Sequence, residues 1–346
     1  MRHDFGTYVM CRLVTVLVLL TACGRNAPAN DEPSPKPYIP PIAAAVEDGC
    51  DPAQSRQCIG TDVVACESDG KLGRRLQACH EGCQDGACIA TCSDDGVKLI
   101  YVVDSANDLL SFDPRKLPHD PFQRIGKLAC GDPVGGPFSM SVDRHGVAWV
   151  VYNDGQLFKV SITDAKCRAA PYVAGSGGFR RFGMGFVTDA PGGTTEKLFI
   201  SSDEDSHELG VLDTEHDLTP HPVGTLTASG EISPELTGTS EARLFGFYPE
   251  RARRSFVQEI NRATGAPQGQ RFLLGKAPLG EISAYAFSQY AGVFYIFVTT
   301  SDDDLAQRST VRAIDRATGT YRVVLDHLPY RITGAGVSTC APEHDQ

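Results

Sequence analysis

One strand-like segment recurs along most of this chain beyond residue 97, and its spacing constrains the fold more than any other feature. It reads LLSFD, LFKVS, LGVLD, VQEIN and VRAID, ending at Asp113, Ser161, Asp213, Asn261 and Asp315, with 48, 52, 48 and 54 positions between successive ends. An identical RATG follows two of these copies, Arg262–Gly265 and Arg316–Gly319. A second segment lies 10 to 20 residues earlier each time, as LIYVV, VAWVV, KLFIS, RLFGF and VFYIF. A third precedes that as FSMSV, FGMGF, PELTG and AYAFS, in four copies only. A period of about 50 residues filled by short antiparallel strands is the pattern of a β-propeller blade. Five such units account for the 244 positions of residues 97–340, so the expected fold is all-β, a five-bladed β-propeller.

The fifth copy of the third strand is missing from the front of the repeat region. ITGAGVS, residues 332–338, has the small-residue alternation of FGMGF and is read as that strand, supplied from the C-terminus to pair beside LIYVV. Closure of the ring in this way removes exposed sheet edges. It also brings Cys340, just past the last strand, to Cys92, just before the strand expected at Val97. A bridge across so long a loop is worth about 5 kcal/mol in the chain-entropy model.

Residues 1–23 read as a processing signal. Arg2 and Arg12 precede the apolar run Leu13–Leu20, which is shorter than the ~20 residues that span a bilayer. The run ends in LTAC, Leu20–Cys23, which resembles the lipobox of bacterial lipoproteins and implies lipidation of Cys23. An ordinary secretory signal cleaved near Ala22 is the competing reading. Residues 24–48 hold six prolines and form an extended tether that reaches roughly 75 Å. Of the 12 cysteines, setting aside Cys11 and Cys23 leaves ten, an even number in an exported chain, and disulfides are expected.

Residues 49–92 form a Cys-rich module with Cys50, Cys58, Cys66, Cys79, Cys83, Cys88 and Cys92. Six of these give three bridges of open connectivity. Cys92 is left for Cys340, and Cys130 and Cys167 are the remaining pair. Such a module is stapled by bridges rather than by a hydrophobic core. A zinc site is disfavoured, because Cys79 and Cys83 enclose three residues, as do Cys88 and Cys92, and no C-x-x-C pair is present.

A formal charge of −11 and a pI near 5.3 argue against a nucleic-acid partner. The longest basic cluster, ERARR at Glu250–Arg254, reads as a solvated hairpin tip. Candidate ligand-binding residues are those that enter the innermost strands around the channel, where propellers commonly carry their sites. They are Arg180, Arg181, Glu231, Glu281 and Arg331, with Glu235, Pro137 and Phe138 nearby. The repeat GEIS, at 230–233 and 280–283, sets Glu231 and Glu281 at corresponding places.

This mixed ring suits a polar ligand, protein or glycan, and the leading expectation is a non-enzymatic binding or structural protein. The alternative is a carbohydrate-active hydrolase using Glu231, Glu281 or Glu235, which needs two carboxylates roughly 5 to 9.5 Å apart. No cofactor or metal is expected. The acidic loops at 202–208 and 301–305 lack the glycine-centred calcium pattern.

A lipobox, a proline-rich tether, a Cys-rich module and a propeller together resemble a group of uncharacterised bacterial lipoproteins. That resemblance implies export and attachment through a lipid anchor to the bacterial envelope, expected at the outer membrane on its periplasmic or surface face. The turns at Asn261–Gly265 and Asp315–Gly319 also resemble those of quinoprotein-like propellers. The tryptophan such repeats carry after the turn is missing, since Trp149 stands alone in the chain, so quinone binding is not implied.

Overall fold

The computed structural model describes residues 49–344 except 80, 81, 85, 90, 132, 204–206, 229–231 and 302–305. The signal segment 1–23 with Cys23, the tether 24–48, Glu231 and the tips of both acidic loops lie outside the described residues. Those described residues contain no α-helix. They form a propeller-like all-β fold with five disulfides.

Five four-stranded antiparallel sheets carry the main body. Sheet one orders Ile332–Val337, Ile100–Asp104, Asp108–Phe112 and Phe122–Lys127, so the last strand of the chain is the innermost strand of the first sheet. Sheets two to five run outward in sequence order from Pro137–Val142, Phe182–Thr188, Glu235–Gly238 and Glu281–Tyr290. These five innermost strands pack on one another in a closed cycle.

The second strands read as nearly continuous apolar runs because each sheet is covered on both faces. In Ile100–Asp104, Ile100 and Val102 pack toward sheet five with Phe112, Tyr295 and Phe297, whereas Tyr101 and Val103 pack toward sheet two with Met140, Val150 and Phe158. Three further cores repeat this between sheets two and three, three and four, and four and five. Five intersheet cores for five sheets close the ring without an open face.

The innermost strands approach so closely that side chains are excluded at several positions. A Cβ on Gly238 would lie 2.0 Å from the Phe186 carbonyl oxygen, and one on Gly336 would lie 2.6 Å from Ser141 Cα. This is the physical reason for the glycine alternation of FGMGF and ITGAGVS.

Strand pairing across the seam runs antiparallel, with Ala335 opposite Val102 and Val337 opposite Ile100. Cys340 then bridges Cys92. Val97, expected to open the first strand, sits in the 3-10 turn Asp95–Lys98. That turn is held by the Tyr101 hydroxyl, which donates to the Gly96 carbonyl at 2.7 Å, and pairing begins only at Ile100.

The Cys-rich module has a three-stranded sheet, Arg56–Ile59, Asp62–Cys66 and Leu72–Ala78, and a two-stranded ribbon, Cys83–Gln84 with Ala87–Cys88. Its bridges are Cys50–Cys66, Cys58–Cys83 and Cys79–Cys88. Cys130–Cys167 joins the outer parts of sheets one and two. Lys166, beside that last bridge, donates to Ser55 Oγ of the module at 3.1 Å, and Arg56 lies 3.6 Å from Asp164.

Candidate functional site

A cavity of about 210 Å³ opens at the end of the ring where the innermost strands begin. Sheet one lines it with Ser105, Arg331 and Thr333, sheet two with Gly135–Phe138 and Asn153, sheet four with Glu235, and sheet five with Ser283–Tyr285. Four of the five sheets therefore converge on one polar hollow with a partly apolar wall. Sheet three contributes beside it through Arg181, which packs over the Phe138 ring at 5.0 Å.

Glu235 is 2 % exposed and accepts a hydrogen bond from Ser139 Oγ at 2.9 Å. Burial pushes its carboxyl well above the ordinary carboxylate range, outweighing the opposing effect of that bond. Tyr285, whose hydroxyl donates to the Ser233 carbonyl at 3.2 Å, is raised first by burial and then by Glu235.

Arg331 donates through Nη2 to the Ser283 carbonyl. Its Nε is buried with no hydrogen-bond partner, and no carboxylate among the described residues forms an ion pair with it. Arg181 differs, because Nη2 is 2.5 Å from Asp203 Oδ2 and that carboxylate takes up its charge. Asn153 bridges by donating to the Gly135 and Gly136 carbonyls, at 2.5 and 3.0 Å, and accepting from Arg181 at 3.4 Å.

Of the residues singled out from sequence, Arg331 lines the cavity and Arg181 borders it. Arg180 is exposed and outside the lining. Glu281 is displaced from the site: it opens a ten-residue strand, against four residues in the corresponding strand of sheet four, and that longer hairpin carries it outward. Its side chain is 61 % exposed, 3.9 Å from Arg251. The ERARR segment is not wholly solvated either, because Glu250 is buried and pairs with Arg253 at 3.1 Å.

Asn153, Tyr285, Ser283 and Thr333 complete the cavity and were not singled out. The repeat carried a signal for one of them, since Tyr285 stands 50 positions after Glu235 at the equivalent place.

No family model matches the chain, and no curated protein matches it. Solved structures resemble it at low identity. One, described as the de novo evolutionary emergence of a symmetrical protein, is 13% identical with a TM-score of 0.42, covering 70% of this chain and 99% of that one. An alpha-L-arabinanase of Cellvibrio cellulosa complexed with arabinohexaose is 11% identical with a TM-score of 0.37, covering 58% and 78%. A gluconolactonase from Xanthomonas campestris is 15% identical with a TM-score of 0.34, covering 70% and 79%. At these values none bears on what the chain binds or does.

Proposed function

We propose that the five sheets are the blades of a five-bladed propeller, carried on a lipid anchor at Cys23 in the bacterial envelope, and that this propeller is a binding protein rather than an enzyme. The cavity at the start of the innermost strands is its site for a small polar ligand. The observation that carries this reading is Arg331, which lines a hollow built from four sheets with no ion pair to a carboxylate among the described residues. A guanidinium in a part-buried wall is costly without an anion beside it, so Arg331 suits a ligand that brings one.

The hydrolase alternative has weaker support. Glu235 is enclosed and held by Ser139, Glu281 faces solvent away from the cavity, and the nearby Asp203 is engaged by Arg181. A retaining or inverting pair needs two carboxylates free to reach one bond.

Two measurements test the proposal. Cys23→Ser is expected to move the protein from the membrane fraction to the soluble fraction, and unchanged membrane retention would remove the anchor from it. Isothermal titration of the purified chain with envelope small-molecule fractions is expected to give a saturable heat that Arg331→Met diminishes. Turnover of a glycoside that Glu235→Gln abolishes would replace binding by hydrolysis.

A further inference from the structure

Arg331 stands in the cavity wall without an ion pair to a carboxylate among the described residues, and that points to a ligand class. Arg331 brings a guanidinium into the wall with Nη2 on the Ser283 carbonyl and Nε buried. Asp203 belongs to Arg181. Glu235 sits in the same lining, enclosed and already engaged by Ser139 Oγ, with its carboxyl pushed up by burial. Arg331 is thus a cation in the cavity wall with no ion pair to a carboxylate among the described residues, on a chain whose formal charge is −11. An unpaired guanidinium in a part-buried wall is costly unless something anionic meets it.

The rest of the lining describes the body attached to that anion. Pro137, Phe138 and Ala284 offer apolar surface, and Asn153, Ser283 and Thr333 offer short polar side chains. A volume of about 210 Å³ lies below the ~300 Å³ at which drug-sized sites begin. One uncompensated guanidinium matches one negative charge, and its planar fork fits a carboxylate in two parallel hydrogen bonds.

We infer that the ligand is a small organic carboxylate, gripped by the Arg331 guanidinium; this rests on the reading of the cavity as a binding site. Asn153 and Ser283 are then placed to meet polar groups on its body, with Phe138 against its apolar face.

The test uses the full chain, thermal-shift measurement and calorimetry. The probes are lactate, succinate and glucuronate, their uncharged counterparts lactamide, succinamide and glucose, and sodium sulfate. At least one carboxylate is expected to raise the melting temperature and give a saturable heat that its uncharged counterpart does not. Arg331→Met is expected to weaken it roughly 10- to 100-fold, the loss of a charge-assisted pair of bonds, whereas Arg180→Met, outside the lining, leaves it unchanged.

Binding of glucose equal to that of glucuronate and indifferent to Arg331→Met would overturn the carboxylate class while leaving the cavity a binding site. Sulfate binding as tight as any carboxylate would overturn it too. No heat from any of the seven probes would overturn both readings. Should Arg331→Met fail to fold, Ala284→Leu, which fills the hollow without altering a charge, is expected to abolish the carboxylate heat. Undiminished binding in that variant would again overturn the assignment.

Discussion

The two ends of the ring are built from similar residues and treat them in opposite ways. Where the innermost strands finish, the polar groups satisfy one another. Glu196 accepts from Thr339 Oγ1 at 2.6 Å and from the Arg144 amide at 2.7 Å, tying sheet three to the C-terminal segment and to sheet two. Glu343 accepts from the Ser240 amide at 2.7 Å and lies 3.3 Å from Arg316. The Pro342 carbonyl accepts from the Ala291 amide at 2.7 Å, and Cys340 bridges Cys92 nearby. The C-terminal segment therefore seals this end, touching sheets three, four and five after supplying the inner strand of sheet one. At the end where the strands begin, Arg331 and Glu235 line a hollow, and no carboxylate among the described residues forms an ion pair with that guanidinium. Paired and hydrogen-bonded charges mark the end that holds the ring together, and a guanidinium without an ion pair marks the end that carries the hollow.

The contrast can be broken most strongly at the sealed end. Replacing both Cys92 and Cys340 by serine frees a separation of 248 positions. It is expected to cost about 5 kcal/mol in denaturant unfolding, and a loss under about 1 kcal/mol would mean that strand pairing alone closes the ring. Gly238→Ala is the next largest: its methyl meets the Phe186 carbonyl backbone, with about 3 kcal/mol of overpacking expected. An unchanged melting temperature would show that the inner strands separate more easily than their spacing implies.

Glu196 gives the sealed end a pH dependence. Burial pushes its carboxyl up to about 7, with the Thr339 and Arg144 hydrogen bonds opposing. Because the folded value lies above the unfolded one, the fold is favoured with Glu196 protonated, and that stability is lost as pH rises through 7. The native protein is thus expected to lose up to about 3 kcal/mol between pH 4.5 and pH 7. Glu196→Gln removes that loss, and parallel stability profiles for the two proteins would contradict it.

Two buried residues at that end break the rule, Ser288, whose Oγ has no hydrogen-bond partner, and Gln289. Gln289 is 1 % exposed, and neither amide atom has a hydrogen-bond partner. Gln289→Met is expected to stabilise by about 1 to 2 kcal/mol by removing two desolvated polar atoms, and a destabilised variant would show that the amide is engaged.

The ring was legible in sequence because each strand type carries its own physical mark. Second strands are apolar on both faces since each sheet is sandwiched, and inner strands alternate glycine or serine since backbones meet there. The seam followed from one missing copy and one late cysteine, and Ile332–Val337 does pair with Ile100–Asp104. The bridges within the Cys-rich module were not legible, since spacing leaves all connectivities open and the folded ribbon decides them.

The site was half legible. Arg331 could be found from its place before the last strand. Glu281 was drawn in by the GEIS repeat, although hairpin length, which a repeat motif does not encode, carries it outward. Asn153 was missed because the loop between the second and third strands bears no periodic signal, and Tyr285 because an aromatic in a strand reads as core.

Hydrogen–deuterium exchange on the full chain, with and without the carboxylate that gives the largest thermal shift, compares the two ends directly. Added protection is expected at Ser283–Tyr285, at Arg331–Thr333 and around Asn153, with none at Ser338–Cys340 or in residues 49–92. Protection confined to the sealed end or to the Cys-rich module would contradict the assignment of binding to the open end.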